Sequence, residues 1–262
     1  MAKTLRTYDV KYYGWVPDLP DARDHLYSAP MAAIGPLPPS ADLRPSCPPV
    51  YDQGQLGSCT GNAIAGAVQF DRLKQEIQPD FIPSRLFIYY NERVIENDVE
   101  IDHGAQIRDG IKSVAALGVC DEALWPYDIA KFAQKPAPAA YAAAAKTKAA
   151  SYCRVARSVS QMKGCLASGY PFVLGFTVYD AFEGDDVATS GVLNLPNYST
   201  EKPLGGHAVL AVGYDDASQR FIIRNSWGSN WGQSGYFTMP YAYLLDENLS
   251  DDFWTIRLIS DA

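Results

Sequence analysis

What the chain lacks narrows its reading first. No apolar run approaches the roughly 18 residues of a spanning helix, and residues 1–10 (MAKTLRTYDV) have no apolar core of the kind a secretory signal carries. By default, a cytoplasmic location is expected, with export by another route left open. Histidine is scarce: His25, His103 and His207 stand far apart, and there is no Cys-x-x-Cys, so neither a metal site nor a cofactor is expected. Basic clusters are absent as well. Lys and Arg total 22 against 30 Asp and Glu, a formal charge of −8, which makes nucleic acid and anionic membranes poor partners.

What is present suffices for a sizeable core. The 262 residues are 47% apolar, enough for one two-lobed unit or two small domains. Residues 1–39 have aromatic anchors, Trp15 among them, but no sustained helical or strand period. Pro30, Pro36, Pro38, Pro39, Pro45, Pro48 and Pro49 then keep the link into the remainder extended. From Cys59 to about residue 76, Ala63, Ala67, Phe70 and Ile77 recur at helical spacing, which predicts a central buried helix. Ser84 caps a second helical run through Leu86 and Val94, and a third runs over residues 107–117 and stops at Gly118. Residues 137–150 are alanine-rich and read as a helix or an exposed linker. Strands are expected over residues 171–179, around His207, and over 221–225, 236–239 and 253–259. Helices early and strands late predict an α+β fold, a helical lobe against an antiparallel, barrel-like β lobe with a cleft between.

Cys59 is the feature with chemical consequence. It follows the glycine-broken loop Gln53-Gly54-Gln55-Leu56-Gly57-Ser58 and opens the central helix. Unpaired N–H groups and the helix dipole bias a thiol placed there toward thiolate, its nucleophilic form. A base stands in Gly205-Gly206-His207-Ala208. The turn 215–219 would fold this strand back on 220–225 and bring His207 within a residue or two of direct opposition to Asn225. Cross-strand neighbours lie about 4.5–5.5 Å apart at Cβ, so the Asn225 amide oxygen can accept one ring N–H and aim the other nitrogen at the thiol.

Gln53, Gly57-Ser58-Cys59, Gly206-His207-Ala208 and Asn225-Ser226-Trp227-Gly228-Ser229-Asn230-Trp231-Gly232, in this order, resemble the papain-like cysteine peptidases over roughly residues 40–259. Ala41-Asp42-Leu43-Arg44 is similar to the opening of many mature domains in that family. The resemblance implies a papain-like two-lobed fold over residues 40–262, its helical lobe mainly 59–125 and its β lobe mainly 170–259. It implies Cys59 as nucleophile, His207 as its acid–base partner, Asn225 as orienter of His207, and Gln53 as an oxyanion donor beside the Cys59 N–H. Trp227 would shield the His207–Asn225 bond and border the substrate. Gly104 and Ala105 would hold an extended substrate backbone, and Ile107, Gly175 and Gly206 would line the pocket for the residue two before the cleaved bond. The expected activity is a cysteine endopeptidase acting on peptides or proteins as a monomer, with a preference for a hydrophobic residue in that pocket. The pocket floor is expected from around residues 241–248.

The chain departs from the family at two positions near the nucleophile. Leu56 replaces a common disulfide cysteine, and Thr60 replaces an aromatic residue. Cys47, Cys120, Cys153 and Cys165 admit three pairings or none, with reduced thiols preferred. Residues 1–39 are shorter than the inhibitory pro-segments usual in the family, and they read either as an arm packed on the outside or as a lid across the cleft that keeps a zymogen inactive. Two further readings are a Cys–His acyltransferase of transglutaminase type and a catalytically silent binding module. Taken singly, Cys59, His207, Gln53 and Trp227 are ordinary core or turn residues; the ordered set is what argues for catalysis.

Overall fold

A computed structural model describes residues 13–28 and 36–261. Residues 1–10 and Pro30 lie outside the described residues. In chain order the elements are β1 (Ser40–Asp42), α1 (Cys59–Lys74), α2 (Arg85–Glu96), α3 (Ile107–Leu117), α4 (Pro138–Ala144), β2 (Thr147–Arg154), α5 (Val159–Ala167) and β3 (Phe172–Tyr179). There follow α6 (Asp180–Glu183), α7 (Asp185–Ser190), β4 (Pro203–Asp215), β5 (Arg220–Arg224), β6 (Tyr236–Pro240), α8 (Tyr241–Leu245) and β7 (Ser250–Asp261).

Every residue of α1 from Cys59 to Arg72 is buried. Such a helix needs no polar stripe, and its small residues let neighbours approach on all sides: a Cβ on Gly61 would come 2.8 Å from the Arg85 carbonyl oxygen of α2. Ser84 Oγ accepts the Phe87 N–H and caps α2, as its sequence signature predicts. Gly118, at φ +85°, ends α3 in a conformation that suits glycine. The alanine-rich stretch divides into α4 and then β2, so it is only partly helical. The strand is recruited by pairing along β7, which local propensity does not reveal.

The strands form one antiparallel sheet in the order β2-β7-β3-β4-β5-β6, with β1 added beside β4. Both faces of β4 are covered. Ala208, Leu210 and Val212 belong to an apolar cluster with α1–α3 and part of β7, while Val209, Ala211 and Tyr214 belong to a second cluster with β3, β5, β6 and Trp227. The period of two, displaced by one residue where the register with β5 shifts between Ala211 and Gly213, splits β4 between the two cores. His207 and Cys59 sit where those cores meet.

Candidate active site

Cys59 is the first residue of α1 and is fully buried. The backbone N–H groups of Ala208, Gly14 and Thr60 face its sulfur, yet burial outweighs them and pushes the thiol up to about 12. This differs from the thiolate expected from the helix terminus alone. The physical reason is the N-terminal arm: residues 13–16 lie over the site and exclude water, so the charged form loses its solvation.

His207 Nε2 donates to Asn225 Oδ1 at 2.8 Å, and the same oxygen accepts the Ser226 N–H at 2.8 Å. The hinge between β4 and β5 sets this up. Leu210 faces Arg224, which puts His207 two residues from direct opposition to Asn225, close to the expected register. With Nε2 holding its proton for Asn225, neutral His207 keeps a lone pair on Nδ1, which makes no hydrogen bond among the described residues. Burial lowers His207 to about 4 despite the Asn225 bond, which favours the charged ring. In the covered site burial thus favours the neutral form of both thiol and imidazole.

Trp227 is buried, its ring 5.2 Å from that of His207 at 36°. Phe176 and Phe182 complete an aromatic wall around the imidazole. Gln53 Nε2 donates to the Leu56 carbonyl at 3.0 Å, and Gln53 Oε1 accepts from Ser226 Oγ at 2.5 Å. One amide hydrogen of Gln53 is thus committed to the loop, and the side chain is oriented by the residue next to Asn225. Tyr127 Oη adds a brace, donating to the Gln53 carbonyl at 2.9 Å and meeting Ser58 Oγ at 2.5 Å. Behind Cys59, Thr60 Oγ1 donates to the buried Glu92 carboxyl. All five cysteines are free.

The residues expected to hold substrate instead hold the arm. Ala105 N–H donates to the Gly14 carbonyl at 2.8 Å, and the Ala105 carbonyl accepts the Val16 N–H at 3.1 Å, so the arm runs parallel to this segment. Trp15 N–H donates to the Gly206 carbonyl at 2.8 Å. Gly104, Gly175 and Gly206 leave the room this requires: a Cβ would come 2.1 Å from Gly14 backbone, 2.0 Å from the Trp15 ring and 2.5 Å from the Trp15 carbonyl oxygen, respectively. Ile107 is buried at the start of α3, in the same apolar cluster as Trp15. Trp15 itself is 9% exposed. Burying an aromatic of this size removes some 150–250 Å² from water, about 4–6 kcal/mol as an upper estimate.

Further contacts fasten the arm on both sides of Trp15. Tyr13 Oη donates to Glu183. Asp18 Oδ2 accepts from Trp254 Nε1 at 2.8 Å, and Asp18 Oδ1 accepts the Arg108 N–H at 3.1 Å. Arg154 reaches Asp18, Asp24, Asp251 and Asp252 together, and Arg108 pairs with Asp24. Residues 25–27 then pair with Arg154, Tyr27 N–H donating to its carbonyl at 2.7 Å. Burial and the neighbouring Asp252 carboxylate raise Asp18 to about 7.

Sequence reasoning missed Tyr13, Gly14, Asp18, Ser226 and Asp252. The Trp15 ring also meets a residue beyond the floor expected from residues 241–248: its Nε1 donates to Asp252 Oδ2 at 3.0 Å. Two signals pointed this way: a glycine between aromatics at Tyr13-Gly14-Trp15, and the acidic pair Asp251-Asp252 at the head of an apolar strand.

Comparison with known proteins gives a consistent picture. The family model described as papain family cysteine protease matches residues 37–244. An uncharacterised peptidase C1-like protein of Acanthamoeba polyphaga mimivirus is 43% identical over 95% of this chain and 88% of its own length. Cathepsin B-like CP1 of Giardia intestinalis is 28% identical over 78% of this chain and 68% of its own. The crystal structure of xylellain, a cysteine protease from Xylella fastidiosa, superposes with a TM-score of 0.87 at 48% identity, covering 94% of this chain and 95% of that one. Digestive procathepsin L 3 of Tenebrio molitor shares the fold at 20% identity, with a TM-score of 0.69, covering 95% of this chain and 76% of its own. The chain belongs to the papain family of cysteine proteases.

Proposed function

We propose that this protease is a latent cysteine endopeptidase whose N-terminal arm occupies the substrate channel until it is displaced. The observation that carries the reading is the pairing of Gly14, Trp15 and Val16 with Ala105, expected to hold a substrate backbone, and with Gly206, expected to line the adjoining pocket. In the open form, Cys59 Sγ attacks the scissile carbonyl while His207 Nδ1 takes the thiol proton. Asn225 and the Trp227 wall keep the imidazole in the tautomer and direction that this transfer needs. The oxyanion falls between the Cys59 N–H and the free amide hydrogen of Gln53, which Ser226 has already oriented. His207 then protonates the leaving amine, and water hydrolyses the thioester.

The arm resists this chemistry because of what it offers the sulfur. Gly14 presents an N–H to Cys59, and its carbonyl is turned away to Ala105. The glycine floor of Gly175 and Gly206 under Trp15 supports a preference for a large hydrophobic side chain two residues before the cleaved bond. The test compares the full chain with a full-length Gly14→Ala, Trp15→Ala double variant on a fluorogenic peptide library. Cleavage within peptides by the variant, at least about tenfold above the parent, supports the reading; equal rates, or transfer to added amine in place of hydrolysis, would sink it.

A further inference from the structure

Asp252 stands apart from its strand. Its φ is +58°, a conformation costly for a residue other than glycine, and asparagine and aspartate tolerate it best. The β3–β7 register shifts at the same place: Val173 faces Trp254 while Gly175 faces Asp251, so β7 carries one extra residue there. A bulge of this kind turns a side chain away from the alternation of the strand, and bulges are frequent beside active sites. Here the carboxylate is turned to the tip of the Trp15 ring and is nearly fully buried.

The two oxygens of Asp252 have different partners. Oδ1 accepts from Arg154 Nη2 at 2.9 Å, a bond within the body of the enzyme. Among the described residues Oδ2 accepts only from the arm, from Trp15 Nε1 at 3.0 Å and the Asp18 N–H at 2.8 Å. When the arm leaves, Oδ2 loses both donors while the bulge still aims it into the vacated pocket. A hydrophobic side chain would bury it without a partner, which is costly, whereas one with an N–H at its far edge restores the bond. Charge decides which donor. Without Asp18 and Asp24, the neighbourhood retains Arg154 and Arg157 against Asp251 and Asp252, a balanced set. A neutral donor therefore suits the pocket better than a cation.

Resting on the proposed latent peptidase, we infer that Asp252 is a specificity-determining residue that selects substrates with tryptophan two residues before the cleaved bond. The arm's Trp15 occupies the pocket as such a side chain would, while the Gly14 carbonyl before it is turned to Ala105.

The full-length Gly14→Ala, Trp15→Ala variant supplies the open pocket. Two blocked dipeptide coumarylamides with the same terminal residue are compared, one with tryptophan and one with 3-benzothienylalanine, in which sulfur replaces the ring N–H. The tryptophan substrate is expected to have at least about tenfold higher kcat/KM, the scale of one hydrogen bond to a charged acceptor. Adding Asp252→Asn, which tolerates the left-handed backbone, should cut that ratio to about threefold or less. Equal rates for the two substrates overturn the inference, as does a ratio unchanged by Asp252→Asn or an arginine substrate cleaved faster than the tryptophan one. Dissociation constants of the matching peptide amides on a Cys59→Ser background give a second readout with the same tenfold expectation. If neither substrate turns over, the peptidase reading fails, and the binding ratio still decides the role of Asp252.

Discussion

Gly14 lies against Gly57 so closely that a Cβ on residue 14 would come 1.6 Å from the Gly57 carbonyl oxygen. The obstacle is backbone, and the loop cannot retreat freely because Asp102 holds the Gly57 N–H at 2.9 Å. A single Gly14→Ala substitution in the full chain is therefore expected to unseat the arm and raise peptide hydrolysis at least about tenfold, the equivalent of some 1.4 kcal/mol of lost docking. Steady-state kinetics on parent and variant check this. An unchanged or lower rate would mean that the arm does not restrict access.

Gln53 is expected to act in the transition state and not in substrate binding. Replacing it by alanine should lower kcat by about 10²–10³ with little change in KM, the loss typical of one oxyanion donor. Ser226→Ala removes the 2.5 Å bond that orients Gln53 but leaves the donor in place, and a smaller loss of about tenfold is expected. Full kinetics in the Gly14→Ala background separate the two. If Gln53→Ala changes only KM, the oxyanion role is wrong.

Much of this site was legible because its signals are local. Cys59 opens a helix that its own sequence defines, and the strand pair carrying His207 and Asn225 is set by one short turn, so the register could be estimated within two residues. The covering arm was not legible in the same way. Residues 13–28 form no helix and no named strand; their conformation comes from bonds to Ala105, Gly206, Arg154 and Asp252, all distant in sequence. The place of Asp252 was not legible for a similar reason, since a bulge in β7 depends on its pairing with β3 and is invisible to the alternation of β7 alone. Desolvation of the thiol was not legible either, because the helix terminus is a local feature whereas the burial of Cys59 is tertiary.

Asp18 should make docking of the arm dependent on pH. Its carboxyl is raised to about 7 when docked, from an ordinary value near 3.8, so the docked form favours the protonated acid. The contribution to docking is complete below about 3.8 and is lost as pH rises through 7. His207 acts in the opposite sense, because its lowered value makes docking weaken as pH falls through its ordinary range. Comparison with Asp18→Asn cancels the His207 effect. The activity ratio of parent to Asp18→Asn chain is expected to climb between pH 4 and 7 and level off above 8; a flat or falling ratio would contradict the assignment.

Glu92 is fully buried behind Cys59, and burial raises its carboxyl well above the ordinary range, so the folded protein favours the neutral acid. Because the unfolded chain ionises there above about 4.3, this group costs stability as pH rises beyond that value. Glu92→Gln preserves shape and neutrality and should be the more stable protein at pH 8 relative to its standing at pH 5. Glu92→Ala, which leaves a cavity and strands the Thr60 hydroxyl, should lose about 2–4 kcal/mol. Denaturant unfolding at the two pH values measures both.

Labelling of Cys59 by an epoxysuccinyl peptide, followed as a rate by intact mass and located by peptide mapping, bears most directly on a competent nucleophile beneath a displaceable arm. The full-length Gly14→Ala, Trp15→Ala variant is expected to be labelled at Cys59 at least about tenfold faster than the parent chain, and His207→Ala should abolish the difference. Equal labelling of parent and variant, or no labelling of Cys59 in the variant with His207 intact, would contradict the account.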